Sequence, residues 1–416
     1  MKMNKLLLAL AASGIATSAF ATNGYFAHGI GVKAKAMGGA SIAFAEDGFG
    51  AAANPANLAQ VKDGYSIGVS AFAPDRAAGM AAGPVYGGNE AADAFAIPEF
   101  AYKSTHNDKM SWGVVVYGNG GMNVDYGRPV YDSSVNTTSN LEQLFIAPTV
   151  SYKLNDRNTV AASVNVVYQT FKATGLGNFS AFTQSAASNG SGGVNPGGYG
   201  TDDSFGVGAR LGWLGTVSDS VTAGAFYQAK TSMDKFTAYK DLFAQGGGFD
   251  IPETYGAGIA VKASPKTTVV LDVVQINYSG IKSLANPNSN NLNDNNTDLG
   301  LENGKGFGWK DMTVYKLGVV HQMDDKTTVR AGWNYGKQPI SKGELDFNLL
   351  APAVVEHHFT AGLTRALDKD SEVSAHLMYA PKVTLTGTSA NGAGTGSVSK
   401  LEMSQYEIGV QYSKKF

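Results

Sequence analysis

From Gly64 onward the chain alternates. Tyr65, Ile67, Val69 and Ala71 are separated by Ser66, Gly68 and Ser70. A period of two, apolar on one side and small or polar on the other, predicts half-buried β-strands. The pattern recurs to the last residue. It predicts fourteen strands, near residues 64–73, 93–104, 110–126, 141–153, 158–172, 203–215, 220–232, 253–263, 267–279, 309–323, 327–337, 356–367, 371–386 and 400–416. Between them, short turns (106–109, 155–157, 217–219, 264–266, 324–326, 368–370) alternate with long segments (74–92, 127–140, 173–202, 233–252, 280–308, 338–355, 387–399). Such segregation belongs to outer-membrane barrels, which have short periplasmic turns and long outer loops. The expected fold class is all-β: an antiparallel transmembrane barrel over residues 61–416 with both ends on the periplasmic side.

The two faces separate. Outward positions include Val160, Val164, Tyr168, Tyr315, Leu317, Trp333, Tyr335, Leu377 and Tyr379. Inward positions include Ser163, Asn165, Gln169, Arg210, Asp272, Lys316, Arg330, Asn334, His376 and Glu407. A charge facing lipid at mid-membrane costs roughly 2–4 kcal/mol, so these charges belong in the lumen. Residues 22–60 do not alternate. They are rich in Gly and Ala and end in Asn54-Pro55-Ala56-Asn57. We expect this stretch to fold into the lumen as a plug, or hatch.

Residues 1–21 read as a signal peptide. Lys2 and Lys5 precede the apolar run Leu6–Ala12, and Ala19-Phe20-Ala21 is a small-x-small cleavage site. Thereafter no apolar run approaches the ~18–20 residues of a membrane helix. Charged residues are 16% of the chain and Gly numbers 52, against ~25% charged and ~7% Gly in soluble domains. The formal charge is −2, or −4 without the two signal lysines, and there is no basic cluster. That argues against nucleic-acid partners. Cysteine is absent, which excludes thiol chemistry and disulfides. No cofactor is expected. Nor is a metal: Asp294 and Asp298 in the Asn-rich loop 280–308 do not match EF-hand spacing. The final strand ends in Phe416, which resembles the signal read by the barrel-assembly machinery, although Lys414 departs from the usual aromatic.

Several phrases together resemble the FadL family of outer-membrane transporters for long-chain fatty acids and other hydrophobic compounds. They are Asn54-Pro55-Ala56, Gly118-Asn119-Gly120-Gly121-Met122-Asn123, Gly308-Trp309-Lys310-Asp311-Met312, Arg330 to Lys337 and Ala351 to His358. The resemblance covers the mature chain. It implies a fourteen-stranded barrel closed by an N-terminal hatch. It also implies a hydrophobic ligand captured by outer loops, bound beside the hatch, and released to outer-membrane lipid through a lateral gap at a kinked third strand.

The residues offer matching chemistry. Gly118-Asn119-Gly120-Gly121 breaks the third strand, because Gly in a strand marks a bulge or bend. Pro98 and Pro148 on the flanking strands each remove one possible ladder bond. The break is either a barrel-corner bulge or an inward kink that opens the wall. Asn54, Pro55 and Ala56 form either an ordinary turn or, by the resemblance, a gate surface near that kink. Phe236, Tyr239, Leu242 and Phe243 have helical spacing. With Phe179, Phe182, Phe347, Leu349 and Leu350 they either pack over the barrel mouth or form a ligand groove. Tyr25 and Phe26 could touch a bound ligand. Arg210, Lys316 and Arg330 either neutralise a ligand carboxylate or pair with Asp272 and Glu407 across the lumen. The leading expectation is passive uptake of hydrophobic molecules. The alternative is a general diffusion porin for small hydrophilic solutes, which the plug disfavours. A hydrolase built on Ser374, His376 and Asp272 lacks any nucleophile motif.

Overall fold

The computed structural model describes residues 22–80, 85–87, 94–189, 195–288, 298–387 and 398–416. The expected signal peptide and Asp294 lie outside the described residues. Fourteen long strands form one antiparallel sheet. They are β1 (Gly64–Met80), β2 (Phe95–Thr105), β3 (Met110–Asp125), β4 (Thr138–Asn155), β5 (Asn158–Thr174), β6 (Asp202–Ser218) and β7 (Val221–Gln228), followed by β8 (Thr254–Ser264), β9 (Thr267–Ile276), β10 (Met312–Gln322), β11 (Thr327–Gly336), β12 (His357–Ala366), β13 (Ser371–Thr386) and β14 (Val398–Lys415). Each pairs with its neighbour in the chain. β14 also pairs with β1, from Gly64 opposite Lys415 to Gly79 opposite Lys400, so the sheet closes. Closure removes the free edges that lipid cannot satisfy.

The alternation read from the sequence sets the two surfaces. Val164, Tyr315 and Leu377 are exposed, whereas Ser163, Asn165, Asp272, Arg330 and Glu407 are buried. Two strand ends differ most from expectation. β1 runs on to Met80 instead of stopping near residue 73, and β7 stops at Gln228. Two short extra segments extend the wall: Val85–Gly87 pairs with upper β1, and Ser232–Met233 pairs with β6.

The N-terminal segment lies inside this wall. It carries one helical turn, α1 (Val32–Lys35), and two 3-10 turns, Gly48–Ala52 and Pro55–Ala59. The side chain of Asp47 caps the first 3-10 turn by accepting from Phe49 N. Asn54 caps the second by accepting from Ala56 N, with Pro55 at the first position where no N–H is needed. The segment reaches strands all round the barrel. Gly31 and Lys35 meet β2, Ser41 and Ile42 meet β9, Glu46 meets β11, and Val32 meets β14.

Its packing depends on inward glycines. A Cβ at Gly318 or Gly332 would strike Met37, one at Gly362 would strike Ala36, and one at Gly212 would strike Asn54. Where a side chain would project into the lumen, these strands have none, so the segment sits against the wall, and at Gly332 backbone meets backbone.

The loop segment 233–252 is not the single amphipathic helix that its spacing suggested. A 3-10 turn at Thr237–Tyr239 and a short turn at Ala244–Gly247 are separated by extended backbone at Phe243. Gln245 and Gly246 have φ values of 61° and 70°, which a continuous helix cannot accommodate.

Candidate ligand path and lateral opening

The wall is interrupted beside β3. The β2–β3 ladder runs from Thr105 opposite Ser111 to Phe100 opposite Val116 and stops there. Above it, β2 keeps its pairing to β1 as far as Phe95, and β3 keeps its pairing to β4 as far as Asp125. The upper halves of β2 and β3 therefore share no backbone pairing. The cause is local. Asn119 is an extra residue, since Gly118 opposes Leu144 while Gly120 opposes Gln143. A one-residue bulge reverses which side chains face inward. Below it Val115 and Tyr117 are buried; above it Met122 and Val124 are.

The N-terminal segment covers this interruption from inside. Phe26 forms a β-bridge with Gly120. Gly121 N donates to Tyr25 O at 3.0 Å, and Ala27 N donates to Asn119 O at 2.8 Å. A Cβ at Gly120 would collide with Tyr25 O, so glycine is required there. The same segment then crosses to β2, where Gly31 N donates to Glu99 Oε1 at 3.3 Å and Lys35 Nζ lies 3.3 Å from that oxygen. Side chains close the top. Arg76 of β1 donates to Asn123 of β3, and the Arg128 guanidinium lies 5.4 Å from the Tyr86 ring centre.

Rings connect the outer loops to this point. One series runs Tyr131–Phe179–Phe347–Phe307–Trp309–Tyr25, with centroid separations of 5.0, 6.0, 4.9, 6.0 and 6.2 Å. A second gathers Phe236, Tyr239 and Phe243 around Phe171 and continues through Phe249 to Tyr25. Both end at Tyr25, which stacks on Phe26 at 4.9 Å. Leu242, Leu349 and Leu350 are buried with these rings, while Phe182 is half-buried. Tyr278 and Trp309, 5.1 Å apart, complete the box around Tyr25.

Three expected placements are corrected. Asn54, Pro55 and Ala56 do not sit at the kink. Asn54 Nδ2 donates to Trp213 O on β6 and to Ile42 O, both at 2.9 Å, so the motif anchors the segment's far end. Pro148 does not weaken the β3 side. It pairs opposite Val114 of β3, and the interrupted ladder is with β5, where Ala147 and Pro148 have no partner. Pro98 does lie within the stretch of β2 that has no partner on β3.

The lumen charges, finally, pair with the N-terminal segment rather than with each other. Arg330 donates to both oxygens of Glu46 at 2.6 and 2.7 Å. Asp272 accepts from Ser41 N and Ile42 N, Lys316 donates to His28 O and Gly39 O, and Glu407 is 2.9 Å from Lys35 Nζ. The segment brings buried backbone groups and charges of its own, and each needs a partner. Burial would raise the Glu46 carboxyl, but the Arg330 guanidinium outweighs it and holds the group below the usual carboxylate range. Arg210 differs. It donates to Gln228 and lies 5.7 Å from the Phe226 ring centre. It lines a cavity of about 90 Å³ with Phe26, Asn119, Phe226, Asp272 and Lys316. No catalytic triad forms, because Ser374 meets Thr364 and Asp272 holds backbone amides.

The family profile described as outer membrane protein transport protein (OMPP1/FadL/TodX) matches residues 8–416. The chain belongs to this family. Its FadL/TodX architecture is shared with three solved barrels. The P. putida toluene transporter TodX is 18% identical with a TM-score of 0.71, covering 94% of this chain and 99% of that one. A Pseudomonas aeruginosa FadL homologue is 14% identical, with a TM-score of 0.71 and the same coverage. The Ralstonia pickettii toluene transporter TbuX is 18% identical with a TM-score of 0.67, again over 94% and 99%. A search of curated proteins finds no match. As an OMPP1/FadL/TodX protein, the chain is an outer-membrane barrel of a family that transports hydrophobic compounds. Within this FadL-type barrel, sequence reasoning missed Tyr131, Phe171, Phe249, Tyr278, Phe307 and Trp309 as parts of the ring series and the box around Tyr25. Trp309 lies within the family phrase Gly308 to Met312 and Phe307 adjoins it, and that was the available signal.

Proposed function

We propose that the protein takes up hydrophobic small molecules, acyl or hydrocarbon-like, across the outer membrane without an energy source. The outer loops capture the ligand, the rings around Tyr25 desolvate it, and it leaves between upper β2 and β3 into the lipid. Residues 22–60 act as the hatch. The observation that carries this reading is the loss of β2–β3 pairing where Tyr25–Ala27 line the wall. Unpaired backbone in hydrocarbon is costly, and a fold with a purely structural third strand would keep the ladder.

Each CH₂ removed from water contributes about 0.8 kcal/mol, so the ring series supplies affinity without polar recognition. The cavity beside Phe26 measures about 90 Å³, well short of the ~300–1,000 Å³ of a pocket that holds a small organic ligand. Passage therefore requires Phe26 or its neighbours to move. The porin reading is disfavoured because the N-terminal segment bonds to strands on opposite sides of the lumen.

Deleting Asn119 tests the route. It removes the extra residue and lets β3 run in one register. The expected result is a heat-resistant barrel whose uptake of a labelled long-chain fatty acid and of toluene falls at least tenfold in cells. Normal uptake of both by a folded deletion variant excludes lateral exit.

A further inference from the structure

Away from the rings, six titratable side chains meet inside the barrel. His28 and Lys35 come from the hatch, Glu99 from β2, His358 from β12, His376 from β13 and Glu407 from β14. None is more than 3% exposed. Lys35 Nζ is 2.9 Å from Glu407 and 3.3 Å from Glu99. His376 Nε2 is 3.4 Å and His28 Nδ1 3.8 Å from Glu407. The His28 ring lies parallel to that of His358, with centroids 5.9 Å apart, and 6.4 Å from His376. Neither nitrogen of His28 is hydrogen-bonded.

Charges from the other packed elements are accounted for. Lys316 of β10 donates to the His28 carbonyl, and Asp272 of β9, its cross-strand neighbour, is bonded to hatch amides. His357 takes the Trp333 indole hydrogen bond, away from the cluster. The pocket is shaped for imidazole: a Cβ at Gly409 would come within 2.5 Å of His376 Cε1 and of Ser70 Oγ.

We propose that this cluster is a proton-sensitive latch. It keeps the hatch docked across the opening while the His28 imidazole is neutral, and lets go when His28 gains a proton. His28 is fully buried and neither ring nitrogen has a hydrogen-bond partner, so a proton gained there goes unsolvated; Lys35 and the parallel His358 ring crowd it further, and only Glu407 draws it in. Burial holds the His28 imidazole well below the usual histidine range, with Glu407 pulling the other way and His358, Lys35 and His376 adding to the depression. Because Lys35 also grips Glu99 on β2, releasing it frees one margin of the opening.

The sign follows from linkage. An undocked His28 in water binds its proton near pH ~6.5, and the docked one does not. Docking is thus fully supported above that pH and weakens as pH falls below it. One such group makes undocking about tenfold easier at pH 5.5 than at pH 7.5. The latch stands on docking contacts and does not depend on where the ligand exits.

Amide hydrogen exchange on the full-length protein in detergent, corrected for intrinsic rates, reads this directly. The amides of Lys35, Ala36 and Gly39, which are hydrogen-bonded within the hatch, should exchange about tenfold faster at pH 5.5 than at pH 7.5, with β5 amides unchanged. His28→Gln should cut that ratio below threefold. His28 lies on the hatch, so its replacement leaves the barrel strands intact, and the unchanged β5 rates report that the variant is folded. A wild-type ratio below twofold, an equal rise in β5, or a full response in a folded variant overturns the latch.

Discussion

Arg210 and Arg330 both point into the barrel, but only Arg330 is clasped by an acid. Its bidentate pair with Glu46 fixes the hatch. Arg210 faces Gln228 and the Phe226 ring beside the cavity at the kink. A ligand carboxylate reaching this cavity would find its counter-charge there, whereas a neutral hydrocarbon would gain nothing from it. A hydrogen bond to a charged group contributes ~1.5–3 kcal/mol, about tenfold or more in affinity. Arg210→Gln should therefore lower uptake of a labelled long-chain fatty acid about tenfold and leave toluene uptake within about twofold. Equal losses for both ligands would remove Arg210 from recognition. The sequence placed both arginines in the lumen, because alternation is a local property. It could not say which was paired, because Glu46 lies 284 residues from Arg330 along the chain.

At the level of elements, the barrel was legible and the docking of the hatch was not. Every strand carries its own period-two signal, and the short turns mark one end of most strands, whereas the ends at the long loops of β1 and β7 did not follow from it. The Gly118–Gly121 break was also readable, because only a bulge or bend explains glycines there. The partner of that break was misassigned to Asn54-Pro55-Ala56, which caps its own 3-10 turn and anchors on β6. Tyr25–Ala27 make the contact through backbone groups, and backbone pairing leaves no mark in residue type. The counterpart signal lay in the inward glycines, which a count of 52 does not localise. Gly332 shows the consequence. A side chain there would overlap the backbone at Met37 and Gly38, and close-packed interiors do not absorb such an overlap. Gly332→Val should leave a heat-resistant barrel but expel the hatch. Limited trypsin digestion would read it as cleavage after Lys33 or Lys35 at least tenfold faster than in the wild type. Unchanged protection would mean that the hatch does not dock on β11.

On the scale of the whole molecule, two structures with different sources of stability share one lumen. The strands are joined to each other by ladders that close from β14 to β1, and those bonds do not involve residues 22–60. The hatch has little regular structure of its own and is held by contacts with the wall, chiefly Lys35–Glu407, Glu46–Arg330 and the Asp272 cap. Removing it should thus cost the barrel little of its backbone pairing. The exposed lumen would be lined by Asp272, Arg330, Glu407, Gln169 and Asn334, groups that water can solvate. A variant with an intact export signal but lacking residues 22–60 should assemble, retain heat-resistant migration, and conduct steadily in planar bilayers, where the complete protein stays closed. It should also admit small hydrophilic solutes to cells and lose selective uptake of hydrophobic ones. If the complete protein already shows large, steady conductance, the hatch does not seal the lumen and the porin reading returns. If the shortened chain fails to assemble while Gly332→Val does assemble, the hatch is needed to build the barrel rather than to close it.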